Sequence, residues 1–85
     1  MGASAKSIVI YTQPGCLFCG KVKEYLVARG VAFAERDVSE DEQAMTWLED
    51  QGFFATPVTV IDGQAIVGFN KARLELLLGR SDKED

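Results

Sequence analysis

Histidine is absent from this 85-residue chain, and cysteine occurs only twice. Without imidazole, the pair Cys16 and Cys19 is what remains for metal ligation or nucleophilic chemistry. A structural zinc site wants four Cys or His ligands, and this chain offers two. Basic residues are also scarce: nine Lys and Arg against thirteen Asp and Glu leave a formal net charge of −4. Phosphate binding needs a basic stripe, so nucleic acid is not the expected partner. No apolar run approaches the roughly 20 residues that cross a bilayer, so a membrane role is not expected either. The opening MGASAK lacks the basic and apolar regions of a signal peptide. Lys6 stands where the myristoylation pattern wants Ser or Thr. The expected location is the cytoplasm, where thiols are kept reduced. There a Cys-x-x-Cys pair reads as a redox or metal site, not as a scaffold. A disulfide closing so short a loop would contribute little to stability.

What is present suffices for one small domain, since 47% of the residues are apolar. Residues 7–12, SIVIYT, read as a short central strand covered on both faces. QPG then breaks it. Phe18, Cys19, Val22, Tyr25 and Leu26 follow helical spacing, and Gly30 ends that helix. Residues 31–38, VAFAERDV, read as a second strand. Ser39 and Glu42 have capping-box spacing ahead of a helix carrying Ala44, Met45, Trp47 and Leu48, with Gly52 as its stop. VTVI and AIVG form a hairpin across Asp62-Gly63. Asn70 caps a last helix bearing Leu74, Leu77 and Leu78, stopped by Gly79. The order β-α-β-α-β-β-α predicts an α/β fold: a four-stranded mixed sheet flanked by helices, its first two strands parallel. Residues 1–6 are expected to be a flexible lead-in, 7–79 the domain, and 80–85 a frayed charged tail.

The position of the cysteines sets their chemistry. Cys16 falls at the N-terminal edge of the first helix, where unpaired N–H groups and the helix dipole favour negative charge. That location lowers the thiol pKa and activates Cys16 as a thiolate nucleophile. Cys19 lies one turn deeper on the same helical face. The expected cycle has Cys16 attack a substrate disulfide and Cys19 resolve the mixed disulfide. Lys21 and Lys23 read mainly as solvated helix surface. Two other readings stand beside this one: a metal site completed by carboxylates or a second chain, and a pair of small buried hydrophobes. Pro57 leads an apolar strand. On residue type alone its peptide bond reads as trans, because X-Pro bonds in folded proteins are mostly trans.

SIVIYTQPGCLFC, followed about 40 residues later by TPVTVIDGQAIVGF, resembles the glutaredoxins. It also resembles their relatives, the hydrogen-donor redoxins of ribonucleotide reductase. The resemblance spans residues 7–79. It implies a thioredoxin fold, a cis Thr56-Pro57 bond beside Cys16, and a thiol–disulfide oxidoreductase acting on protein or glutathione mixed disulfides. It implies that Thr56 offers its backbone to a substrate laid down like an added strand. Gln13, Phe18, Gly68, Phe69 and Asn70 fall at the substrate-contacting positions of the family. No bound cofactor or metal is implied for the dithiol cycle. The electron source is glutathione in one branch and thioredoxin reductase in the other, and a monomer is expected.

Departures from the family pattern are specific. Leu17-Phe18 replaces the frequent Pro-Tyr between the cysteines. Gln13 stands where many relatives carry a lysine that meets a glutathione carboxylate. In VGFN, Val67 and Asn70 replace the Gly and Asp of the frequent Gly-Gly-x-Asp stretch. Each change weakens glutathione binding and leaves the exchange chemistry untouched. Two further family-level alternatives are a [2Fe–2S] carrier and a non-catalytic binding module. Trp47 is expected to pack on the sheet or a neighbouring loop. Of Phe53 and Phe54, one is expected in the core and one at the substrate groove.

Overall fold

The computed structural model describes residues 7–78, and the seven expected elements all lie within them. The readings of residues 1–6, of the Gly79 stop and of the tail 80–85 lie outside the described residues. In chain order the elements are β1 (Ile8–Thr12), α1 (Leu17–Ala28), β2 (Ala34–Asp37), α2 (Glu42–Asp50), β3 (Val58–Ile61), β4 (Gln64–Val67) and α3 (Lys71–Leu78). Along β1, Ile8, Ile10 and Thr12 are buried while Val9 and Tyr11 are half-buried. Burial on both sides explains why this strand lacks polar alternation. The sheet order is β2-β1-β3-β4. β1 pairs parallel with β2 and antiparallel with β3, and β4 pairs antiparallel with β3. The fold is therefore the mixed-sheet thioredoxin fold.

Each face of the sheet carries its own apolar layer. On one face Ile8, Ile10, Ile61 and Ile66 meet Val22 and Leu26 of α1 and Leu74 and Leu78 of α3. On the other, Val58 meets Ala44 and Leu48 of α2, with Val38 beside them. Each fully buried Leu, Ile or Val side chain contributes about 1.5–3 kcal/mol relative to exposure. Trp47 stacks on Tyr11 at 5.1 Å with 14° between the ring planes, which is the packing role expected of it.

Local chemistry sets the element ends. Gly30 and Gly52 follow α1 and α2 with φ of 72° and 84°, a left-handed conformation that glycine adopts without a Cβ penalty. Asp62 and Gly63 both have positive φ, 50° and 87°, as a two-residue type I′ hairpin turn requires. One expectation is corrected. The helix α2 is capped by Asp41, whose side chain accepts from the Ala44 N–H at 3.0 Å, and not by a Ser39–Glu42 box. Ser39 is engaged elsewhere: its hydroxyl and its N–H both donate to Asp37 Oδ1. The strand expected over 31–38 is also shorter, because Val31 and Phe33 turn in to pack against the α1–α3 layer.

Candidate functional site

The register Tyr11↔Val58 places the C-terminal end of β1 beside the N-terminal end of β3. Val58 also pairs with Val67, so the segment leaving β4 emerges at the same end of the sheet. β2 runs parallel to β1 and ends there as well, with Thr12↔Asp37. Four connections thus converge on one edge, and the candidate residues sit in three of them.

The first connection joins β1 to α1. Pro14 and Gly15 form its tight turn, closed by the Cys16 N–H donating to the Gln13 carbonyl at 3.2 Å. Gly15 has φ of 82°, the value wanted at the third position of a type II turn with proline before it. The turn delivers Cys16 to the N-cap of α1 in an extended conformation, and no side chain caps the helix there. The first turn of α1 holds no acidic residue. The N–H groups at this helix start thus adjoin Cys16 in the chain with no carboxylate in the first turn to compete for them. Cys16 is half-buried and Cys19 is buried. The two are joined in a disulfide with their Cα atoms 5.5 Å apart. Leu17 and Phe18 between them are exposed.

The second connection is the loop before β3. Its Thr56-Pro57 bond is cis, as the family resemblance implies and contrary to the reading from residue type. Pro57 is fully buried, and its carbonyl accepts from the Gly68 N–H at 2.8 Å. That bond ties the third connection, Gly68 to Asn70, to the cis-proline loop. Asn70 caps α3, its Oδ1 accepting from the Arg73 N–H at 3.1 Å. Phe69 packs edge-on against Tyr25 at 6.2 Å, so its ring belongs to the α1–α3 layer.

Gln13 and Thr56 line one cavity, together with residues of α2 and of the loop from Phe53. Phe53 packs into the α2 layer, as expected of one of the pair, while Phe54 is 82% exposed. Met45, Glu49 and Val38 also line this cavity and were not expected as site residues from the sequence. Their only signal was helical spacing, because Met45 and Glu49 lie one turn apart. Lys23 forms an ion pair with Glu35 at 3.1 Å, which accords with a surface role. Among the described residues, no group of three or more His, Cys, Asp or Glu side chains is placed to hold a metal ion. No described helix is long and apolar enough to cross a membrane.

Comparison with known proteins agrees with this arrangement. The family model for glutaredoxin matches residues 8–66. A glutaredoxin-like 8.6 kDa protein of the rubredoxin operon of Clostridium pasteurianum is 40% identical over 74 residues, covering 84% of this chain and 96% of that protein. A crystal structure of a variant thioredoxin-like protein superposes with a TM-score of 0.80 at 40% identity, covering 86% of this chain and 100% of the other. The glutaredoxin-like NrdH-redoxin of Escherichia coli, described for its thioredoxin-like activity profile, gives a TM-score of 0.74 at 30% identity, covering 81% of this chain and 95% of the other. The fold, the Cys-x-x-Cys pair on it and these matches place the chain in the glutaredoxin family, as a glutaredoxin-like thiol–disulfide oxidoreductase.

Proposed function

We propose that the protein reduces disulfides in other proteins through a Cys16–Cys19 dithiol cycle and draws its electrons from a thioredoxin reductase. The observation that carries this reading is the asymmetry of the pair: Cys16 half-buried at a bare helix N-cap, Cys19 buried one turn in. In the reduced protein the Cys16 thiolate attacks one sulfur of the substrate disulfide. A Cys16–substrate bond forms, and the other substrate sulfur leaves as a thiolate that takes a proton. Cys19 then loses its proton and attacks Cys16, forming the intramolecular disulfide and releasing the second substrate thiol. Two electrons pass from the dithiol to the substrate. A reductase dithiol returns two electrons and two protons to close the cycle.

Thr56 and Pro57 hold the substrate segment as an added strand beside Cys16 in this reading. Gln13, Phe18 and the Gly68–Asn70 connection border it. The choice of reductant is supported by the site's charges. Gln13 and Asn70 are neutral where glutathione-binding relatives carry a lysine and an aspartate. The E. coli neighbour with a thioredoxin-like activity profile points the same way. The protein acts as a monomer, with residues 7–79 as its working domain. Its place is the cytoplasm, where it contributes to redox homeostasis.

A regeneration assay tests the proposal. The oxidised protein is offered NADPH with thioredoxin reductase, or NADPH with glutathione and its reductase, and a protein disulfide is supplied as final acceptor. NADPH consumption is expected in the first arm and little in the second; the reverse would reassign the reductant. Cys16→Ser is expected to abolish turnover, and Cys19→Ser to accumulate a mixed disulfide visible by mass spectrometry. Full turnover by Cys16→Ser would remove Cys16 as the nucleophile.

A further inference from the structure

The cavity beside the cis-proline loop has a volume of about 230 Å³. Buried Val38 and Leu48 are among its lining residues, with Met45, Phe53 and Phe54 adding apolar surface. Gln13 and Thr56 connect it to the Cys16 turn and to the proposed substrate strand. Among the described residues that line it, Glu49 alone is charged.

Three features define what fits there. The first is size: the volume lies below the roughly 300–1,000 Å³ of sites that enclose whole small-molecule ligands, and suits a single side chain. The second is charge. Among the described residues no cation lines the cavity, and α2 carries Glu42, Glu49 and Asp50 with no Lys or Arg. A carboxylate-rich tripeptide such as glutathione meets like charge here, whereas a lysine or arginine meets its complement. The third is continuity. A polypeptide laid against Thr56 as a strand turns alternate side chains to one side, and Thr56 is itself among the residues that line this cavity.

We infer that this cavity is a specificity pocket for polypeptide disulfides: it seats one bulky apolar side chain next to the substrate cysteine, and Glu49 receives a basic residue of the same segment. The inference rests on the dithiol cycle proposed above and adds to it the class of substrate sequence.

Disulfide-linked peptide dimers test it. Four are compared, with Leu or Gly beside the cysteine and Lys or Glu in the following positions. The reduced protein is mixed with each, and the second-order rate of thiol release is measured. Leu is expected to exceed Gly by roughly tenfold, the low end of what filling an apolar pocket gives. Lys is expected to exceed Glu by about threefold at low salt, the scale of an exposed ion pair, with the ratio shrinking as salt rises. Glu49→Gln should erase the Lys/Glu ratio and Glu49→Lys should invert it. Phe54→Ala should reduce the Leu/Gly ratio. Each ratio is taken within one variant, so a general loss of activity cancels, and circular dichroism checks that each variant is folded. Equal rates for all four peptides in the unaltered protein, or a Lys preference that survives Glu49→Lys, would overturn the pocket. A small disulfide, bis(2-hydroxyethyl) disulfide, separates this from failure of the cycle itself. If the unaltered protein reduces that compound but ignores peptide sequence, only the pocket falls. If it reduces neither, the dithiol cycle falls with it.

Discussion

Among the described residues, the buried hydroxyl of Thr59 has no hydrogen-bond partner. The residue lies in β3, 0% exposed, paired with Ile10 and Ile66 on its neighbouring strands. A buried polar group left unpaired costs about 1–3 kcal/mol. Thr59→Val keeps the shape and removes the group. It is expected to stabilise the fold by about 1 kcal/mol. Urea unfolding checks this as a higher midpoint with an unchanged slope; a lower midpoint would mean that the hydroxyl is satisfied in solution. Leu17 is the opposite case, a surface position with room for improvement. It is the first residue of α1 and 84% exposed. Proline suits this position because the N–H there has no intrahelical partner. The residue before a proline must be extended, and Cys16 already is, with φ −78° and ψ 116°. Leu17→Pro is therefore expected to raise stability by about 0.4–1 kcal/mol, read as a higher thermal midpoint of the oxidised protein.

At the scale of elements, capping decides where α2 begins. The Ala44 N–H does most to hold the Asp41 carboxyl below its usual value; burial opposes it, and the hydrogen bond and charge of the Arg36 guanidinium add to the lowering. Because the folded-state pKa is depressed, the contribution of Asp41 is present above the ordinary carboxylate range. It is lost as pH falls through the folded value. Asp41→Asn keeps a cap but loses the charge. Its thermal midpoint is expected to lie below the parent's near neutral pH and to converge on it in acid; a constant gap at every pH would exclude the charge as the cause. Ser39→Ala is expected to leave α2 intact, because Ser39 bonds to Asp37 and not to the helix. The Ser39–Glu42 spacing fits a capping box, and that spacing alone does not show that Asp41 sits at the N-cap. The choice lies in the turn after β2, where the Glu40 and Asp41 N–H groups both donate to the Asp37 carbonyl. The other boundaries were legible where their cause is local. Gly30, Gly52 and the Asp62-Gly63 pair each impose a backbone conformation on the chain by themselves. The Cys16–Cys19 arrangement was legible for the same reason, since one turn and one helix start define it. Met45 and Glu49 were not, because only the packing of α2 against the 53–56 loop makes them walls of one cavity.

The molecule as a whole is held by two apolar layers, one on each face of a four-stranded sheet, and the disulfide sits at the edge of that structure. Its cysteines are separated by only 3 positions in sequence. Chain-entropy reasoning gives a loop so short about 2 kcal/mol at most, well below the roughly 4.7 kcal/mol for a 100-residue loop. Ile10, Val22, Leu26, Val58, Ile61 and Leu74 are each no more than 1% exposed, and their burial does not depend on the bond. The reduced protein should therefore stay folded. Denaturant unfolding of the oxidised and reduced forms is expected to be cooperative in both, with midpoints separated by no more than that small entropic contribution. Such a margin is what a redox carrier needs, because a fold that depended on the bond would lose its substrate-binding edge in each reduced half of the cycle. Loss of the cooperative transition on reduction would instead make the bond a structural staple, and the dithiol form could not serve as the working reductant.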